Sequence, residues 1–133
     1  MQEKELPAVM ALSYLGDAVY SLYVRERLVE MGISHVGELN RLSLGYVTAP
    51  KQAELSKKML PLLTEEEAGV FRRAFNHKGL SRPAHASYGE YRAATGFEAV
   101  LGALHYSGER QRLAFLLDAI HQNEFNAKEE IPK

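Results

Sequence analysis

With 133 residues, 46% of them hydrophobic and 25% charged, the chain has the make-up of one globular domain, and no apolar run approaches the roughly 20 residues a bilayer-crossing helix needs. The absence of cysteine excludes disulfides, thiolate metal sites and cysteine nucleophiles, so a metal would have to be held by oxygen or imidazole. The formal net charge of −1 conceals an uneven distribution: between positions 72 and 92, Arg72, Arg73, Lys78, Arg82 and Arg92 face Glu90 alone, leaving that segment at +4 and the remainder at −5. Such asymmetry points to one face turned toward an anionic partner.

The opening Met1-Gln2-Glu3-Lys4-Glu5 lacks the basic start of a secretory signal, so the cytoplasm is the expected location. Pro7 suits the first turn of a helix over about 7–31, where Leu12, Leu15, Val19 and Leu22 recur at helical spacing until Gly32. The opposite stripe, with Met10, Tyr14, Asp17, Ser21, Val24 and Leu28, is also largely apolar, which predicts that Asp17 is partly buried. Ser34 is the expected cap of a second helix to about Ser43, and Thr48 with Pro50 opens a third to about Leu63, with Lys51, Glu54, Lys57 and Lys58 on its wet side. Thr64 and Glu67 form a capping box for a fourth helix carrying Val70, Phe71, Ala74 and Phe75.

From Asn76 to Ser87 the periodicity stops, and Gly79, Pro83, His77 and His85 mark an exposed loop. Ser87 and Glu90 make a second capping box, and the fifth helix places Phe97, Val100, Leu101 and Leu104 on one side, with Gly96, Ala99, Gly102 and Ala103 among its small residues. Gly108 separates it from a sixth helix with Leu113, Leu116, Leu117 and Ile120, and the chain closes on a polar tail. Nothing shows strand alternation, so the fold expected is all-α, with about six helices. The helices around Gly16 and Gly102 are the natural pair to cross closely, which would bring Asp17 to Glu98.

Two carboxylates in one place repel unless a proton or cation stands between them, and Mg²⁺ takes one or two protein carboxylates while keeping several waters. On residues alone, a lone acid on a mixed helix face more often pairs with an arginine or lines a wet cleft than binds a cation, and the basic segment reads equally as a solvated loop or a nucleic-acid surface. His35, His77, His85, His105 and His121 lack zinc-ligand spacing and read as surface histidines. Tyr14, Tyr20 and Tyr23 fit core or interface packing better than base stacking.

Leu12-Ser13-Tyr14-Leu15-Gly16-Asp17-Ala18-Val19 resembles the signature helix of the ribonuclease III endonuclease domain, and Phe97-Glu98-Ala99-Val100-Leu101-Gly102-Ala103 resembles its second acidic motif. Arg72-Arg73-Ala74-Phe75-Asn76-His77-Lys78 is similar to the basic stretch of the Mini-ribonuclease III group, the catalytic domain without a double-stranded-RNA-binding domain. The resemblance implies a homodimeric ribonuclease III-like helical bundle, with a catalytic domain over 1–126 and a tail over 127–133. It implies a Mg²⁺-dependent endoribonuclease, Mn²⁺ substituting, that cuts double-stranded RNA to 5′-phosphate and 3′-hydroxyl ends. The implied substrate is a large-subunit (23S) ribosomal RNA precursor in a bacterium or plastid, with help from a ribosomal protein left open.

Carried over residue by residue, Asp17 and Glu98 match the two metal-binding catalytic carboxylates, and Tyr14 matches an aromatic knob that enters the other subunit. Ser13 and Thr95 stand where larger relatives have two further acids, and are expected to hold a carboxylate or a water rather than the ion. Arg72, Arg73, Asn76, Lys78 and Arg82 are the expected RNA contacts. The missing acids keep a second reading in play, a catalytically silent fold that binds structured RNA. A third is a helical protein-interaction module.

Overall fold

The structure is a computed structural model that describes residues 5–79 and 86–125. Arg82, His85 and the predicted tail lie outside the described residues. Helix α1 (Val9–Glu30) follows Ala8, whose extended backbone makes it the N-cap, so Pro7 stands before the first turn rather than in it. Gly32, at φ +89°, ends the segment in the left-handed region that glycine enters at little cost.

Helix α2 (Val36–Val47) differs from expectation at both ends. The N-cap is His35, not Ser34, and no side chain caps it. The helix runs past Ser43 because Leu39, Leu42, Tyr46 and Val47 continue an apolar face packed on the core. In α3 (Ala49–Met59) the Thr48 hydroxyl accepts the Lys51 N–H as predicted. A 3₁₀ turn over Leu60–Leu62 then replaces the expected last α-turn, since Pro61 has no N–H to give to the carbonyl four residues back.

Both capping boxes form, and each satisfies two helix-end donors that would otherwise lack an intrahelical partner. At α4 (Glu65–Phe75) the Glu67 N–H donates to Thr64 Oγ1 at 3.2 Å and the Thr64 N–H to Glu67 Oε1 at 2.9 Å. At α5 (Tyr88–Tyr106) the corresponding bonds between Glu90 and Ser87 are 3.0 and 2.9 Å. Helix α6 (Arg110–Ile120) follows the turn at Gly108, φ +75°.

α5 is the central element, packed by α1, α3, α4 and α6. Around it Leu12, Tyr20, Val24, Leu55, Met59, Phe71, Phe97, Leu101 and Leu116 form one buried cluster, each large side chain worth about 1.5–3 kcal/mol in burial. Gly96 admits the Phe71 ring so closely that a Cβ would meet it at 2.8 Å. Among the described residues no helix is long and apolar enough to cross a membrane.

His121 is not a surface histidine: it is buried between Tyr20, Tyr23, Tyr46 and Phe125. Its Nδ1 lies 2.7 Å from the Leu117 carbonyl oxygen and its Nε2 3.0 Å from the Tyr20 hydroxyl. A carbonyl only accepts, so Nδ1 carries the proton, Nε2 is the acceptor and Tyr20 donates. Burial holds the ring below the usual histidine range, in the neutral form this arrangement needs. Lys51, expected on the wet side, is partly buried over the Tyr46 ring and paired with Glu54 and Glu124. His35, His77 and His105 are exposed, as expected.

Candidate active site

The site is set by how closely α1 and α5 approach. A Cβ on Gly16 would stand 1.7 Å from the Glu98 carbonyl oxygen, and one on Gly102 would stand 1.9 Å from that of Leu12. Neither space admits any side chain, so backbone touches backbone at two points four residues apart on each helix. Because Leu12 meets Gly102 and Gly16 meets Glu98, the two helices run in opposite directions through the contact.

Asp17 is exposed rather than partly buried, and the half-buried acid is Glu98. Gly16 takes the position facing α5, so the next side chain, about 100° further round the helix, points to the rim of the crossing. From there the negative charge of the Asp17 carboxylate acts on Glu98. The buried Ser13 hydroxyl donates to Glu98 Oε1 at 3.3 Å.

Burial first, then the hydrogen bond and negative charge of Asp17, push the Glu98 carboxyl up to about 8. Donors on Gln52 and Ser13 act in the opposite sense. Sequence reasoning missed Gln52. The wet face assigned to Lys51, Glu54, Lys57 and Lys58 leaves Gln52, Leu55, Ser56 and Met59 on the other side at helical spacing, and all four are buried. A glutamine on that face was the available signal.

Thr95 is buried, but its hydroxyl donates to the Tyr91 carbonyl of its own helix at 2.8 Å. Tyr14 is 85% exposed. Arg72, Arg73, Asn76 and Lys78 are exposed at the end of α4 and just beyond it, on the helix whose Phe71 packs against Gly96, two residues from Glu98. Arg92, counted in the basic segment, has a structural role. It donates to the Phe75 carbonyl and the Tyr88 hydroxyl, each at 3.0 Å, and lies over the Tyr88 ring. These contacts tie the end of α4 to the start of α5.

The donor set around Glu98 is all oxygen and carboxamide. Among the described residues no group of three or more acids and imidazoles comes together. Mg²⁺ typically takes one or two protein carboxylates and keeps several waters, and a doubly charged ion would offset the burial and the Asp17 charge that push the Glu98 carboxyl up. The residues fit a hard divalent cation held by Asp17 and Glu98.

The chain is similar to known proteins over most of its length. The family model described as Ribonuclease III domain matches residues 10–109, a span that contains both acids and both crossing glycines. The Mini-ribonuclease 3 of Symbiobacterium thermophilum is 46% identical over 110 residues, covering 83% of this chain and 85% of that protein. That of Enterococcus faecalis is 40% identical over 111 residues, covering 82% and 84%. A crystal structure of a Fusobacterium nucleatum protein shares the fold at a TM-score of 0.85 and 22% identity, covering 99% of this chain and 100% of that one. The chain belongs to the ribonuclease III family, in its Mini-ribonuclease 3 branch. Its activity, at the level that membership carries, is that of an endoribonuclease acting on RNA.

Proposed function

We propose that the chain is a divalent-cation-dependent endoribonuclease for double-stranded RNA, with Asp17 and Glu98 as the catalytic and metal-holding acids. One observation carries the reading: an acid pair fixed at a backbone-on-backbone helix crossing, with a carboxyl pushed well above its ordinary range. Mg²⁺, or Mn²⁺ in its place, supplies Lewis acidity and neutralises charge on the phosphoryl group when bound. Glu98, held by Ser13, provides the oriented carboxylate. Asp17, at the rim, provides the second charge on the side open to a duplex. Arg72, Arg73, Asn76 and Lys78 bind the phosphates and 2′-hydroxyls of A-form RNA, and Arg82 joins them in the reading though it lies outside the described residues.

The working unit is a homodimer in which Tyr14 enters the second copy. The exposed apolar side chains Tyr14, Leu22 and Val29 along α1 support this. Two sites related by a two-fold axis then cut opposite strands, leaving 5′-phosphate and 3′-hydroxyl ends. Family membership points to large-subunit (23S) ribosomal RNA precursors as natural substrate, shaped by a ribosomal protein, in the bacterial cytoplasm.

The test is incubation with an RNA duplex, the matching single strands and a DNA duplex, each with Mg²⁺, Mn²⁺ or EDTA. Cation-dependent cutting of duplex RNA to 5′-phosphorylated products is the expected result. Binding of the duplex without cutting would leave the silent structured-RNA binder in its place. Failure to bind even at low salt, where phosphate contacts are strongest, would favour a protein-interaction module.

A further inference from the structure

One side chain joins the last residue of α4 to the first residue of α5. Arg92, partly buried on α5, donates from Nη1 to the Phe75 carbonyl and from Nη2 to the Tyr88 hydroxyl, each at 3.0 Å. Its guanidinium carbon lies 5.9 Å from the centre of the Phe75 ring and 4.3 Å from that of Tyr88. The last carbonyls of a helix lack intrahelical donors, so a guanidinium here completes the end of α4 and suits the negative end of its dipole. The Phe75 carbonyl belongs to the planar peptide unit that joins Phe75 to Asn76, so fixing its oxygen fixes the direction in which the chain leaves the helix. Asn76 and Lys78, both exposed, follow directly.

We propose that Arg92 is a positioning residue for substrate binding: anchored on the Phe75 carbonyl and the Tyr88 hydroxyl, it holds the turn that carries Asn76 and Lys78 in register with the acid on its own helix. The assignment rests on the reading of Asn76 and Lys78 as RNA contacts. Arg92 precedes Glu98 by six residues of α5, about 9 Å along the axis at 1.5 Å per residue. A duplex gripped at Asn76 and Lys78 must present a phosphodiester to Asp17 and Glu98 at the same time, so the spacing between grip and acids has to be set before RNA arrives. The apolar contact of α4 with α5, where the Phe71 ring fills the space beside Gly96 and stacks on Phe75, holds the helices together without fixing the direction of the chain beyond them. A planar fork with two bonds in set directions does so. Both acceptors are neutral, so these bonds leave the charge of Arg92 uncancelled, and removing the side chain removes a charge as well as a brace.

The test uses the full chain and a fluorescently labelled RNA duplex, with affinity read by anisotropy in EDTA and cleavage kinetics in Mg²⁺. Arg92→Lys keeps the charge and loses the fork, so it separates the brace from the charge and serves alone if Arg92→Met does not fold. Both variants should bind the duplex about tenfold more weakly, the scale of one charge-assisted hydrogen bond, and raise KM in step while kcat at saturating duplex changes much less. In a chain already carrying Asn76→Ala and Lys78→Ala, Arg92→Lys should weaken binding no further than about twofold, because a residue that acts through those two has nothing left to position. Arg112→Lys is the control for lost stability. Arg112 ties the opposite end of α4 through Glu67 and the Leu62 carbonyl, and its variant should lower the melting temperature and leave RNA affinity unchanged. Unchanged affinity in folded Arg92→Lys would overturn the assignment, as would a full tenfold loss in the Asn76→Ala, Lys78→Ala chain or an equal loss in Arg112→Lys. If Asn76→Ala with Lys78→Ala binds the duplex as the unaltered protein does, it is the reading of the RNA surface that falls, and the role of Arg92 with it.

Discussion

Glu98→Gln is expected to abolish cleavage and, in the same protein, to raise the melting temperature measured in EDTA at pH 8 and above. Burial and the neighbouring Asp17 push the Glu98 carboxyl from an ordinary value of 4.5 up to about 8. Between those values the folded chain binds this proton more tightly than the unfolded chain does. Stability from this group is therefore greatest at low pH, falls as pH rises above about 4.5, and levels off above about 8. Glutamine keeps the shape and does not titrate, so the variant should lack that decline. Saturating Mg²⁺ should reverse the order, because an ion that binds only the folded unaltered protein stabilises it by mass action.

The loss of cleavage should exceed the roughly 100-fold upper range typical of residues that merely support a metal ligand. Asp17→Asn should lose cleavage to a similar extent and keep both fold and RNA binding. Thermal melts from pH 5 to 9 with EDTA or Mg²⁺, beside gel assays of duplex cleavage, read both effects. Activity within tenfold of the unaltered protein, or a melting profile parallel to it, would remove the acid pair from the mechanism.

Gly16→Ala should be the most destabilising single methyl in the chain, with Gly102→Ala close behind. The added carbon would lie 1.7 Å from the Glu98 carbonyl oxygen in the first case and 1.9 Å from that of Leu12 in the second. Neither obstacle is a side chain that can rotate away, so relief requires α1 and α5 to move apart and expose part of the core. We expect a cost of about 3 kcal/mol or more, at or beyond the top of the usual overpacking range and a large share of the few kcal/mol by which domains are stable. Urea or thermal unfolding checks it. Gly45→Ala, where a Cβ meets nothing within 4 Å, should be neutral or slightly stabilising through helix propensity.

What the sequence discloses here follows the range of the interaction. The capping boxes at Thr64 and Ser87 use bonds three residues apart, and they form where the motif predicts. The pairing of Gly16 and Gly102 was legible because small residues on otherwise apolar helices have few other uses. The burial of His121 depends on Tyr20, 101 positions away, and nothing local marks it. Asp17 was placed on the wrong side for a related reason: periodicity says which residues share a stripe, not which stripe another helix covers. Tyr14 and Asp17 share an apolar stripe with Val24 and Leu28, yet the core covers only the latter pair.

The crossing of α1 and α5 also ties the lifetime of the site to that of the fold. In many enzymes the catalytic groups sit on loops that loosen before the body melts, so inactivation precedes unfolding. Here both acids sit on the two helices whose backbones touch, and no backbone movement short of separating those helices parts the stems of Asp17 and Glu98. Heating should therefore produce a single event: the residual-activity curve and the melting curve superpose, with no range of temperature in which the protein is folded but inert.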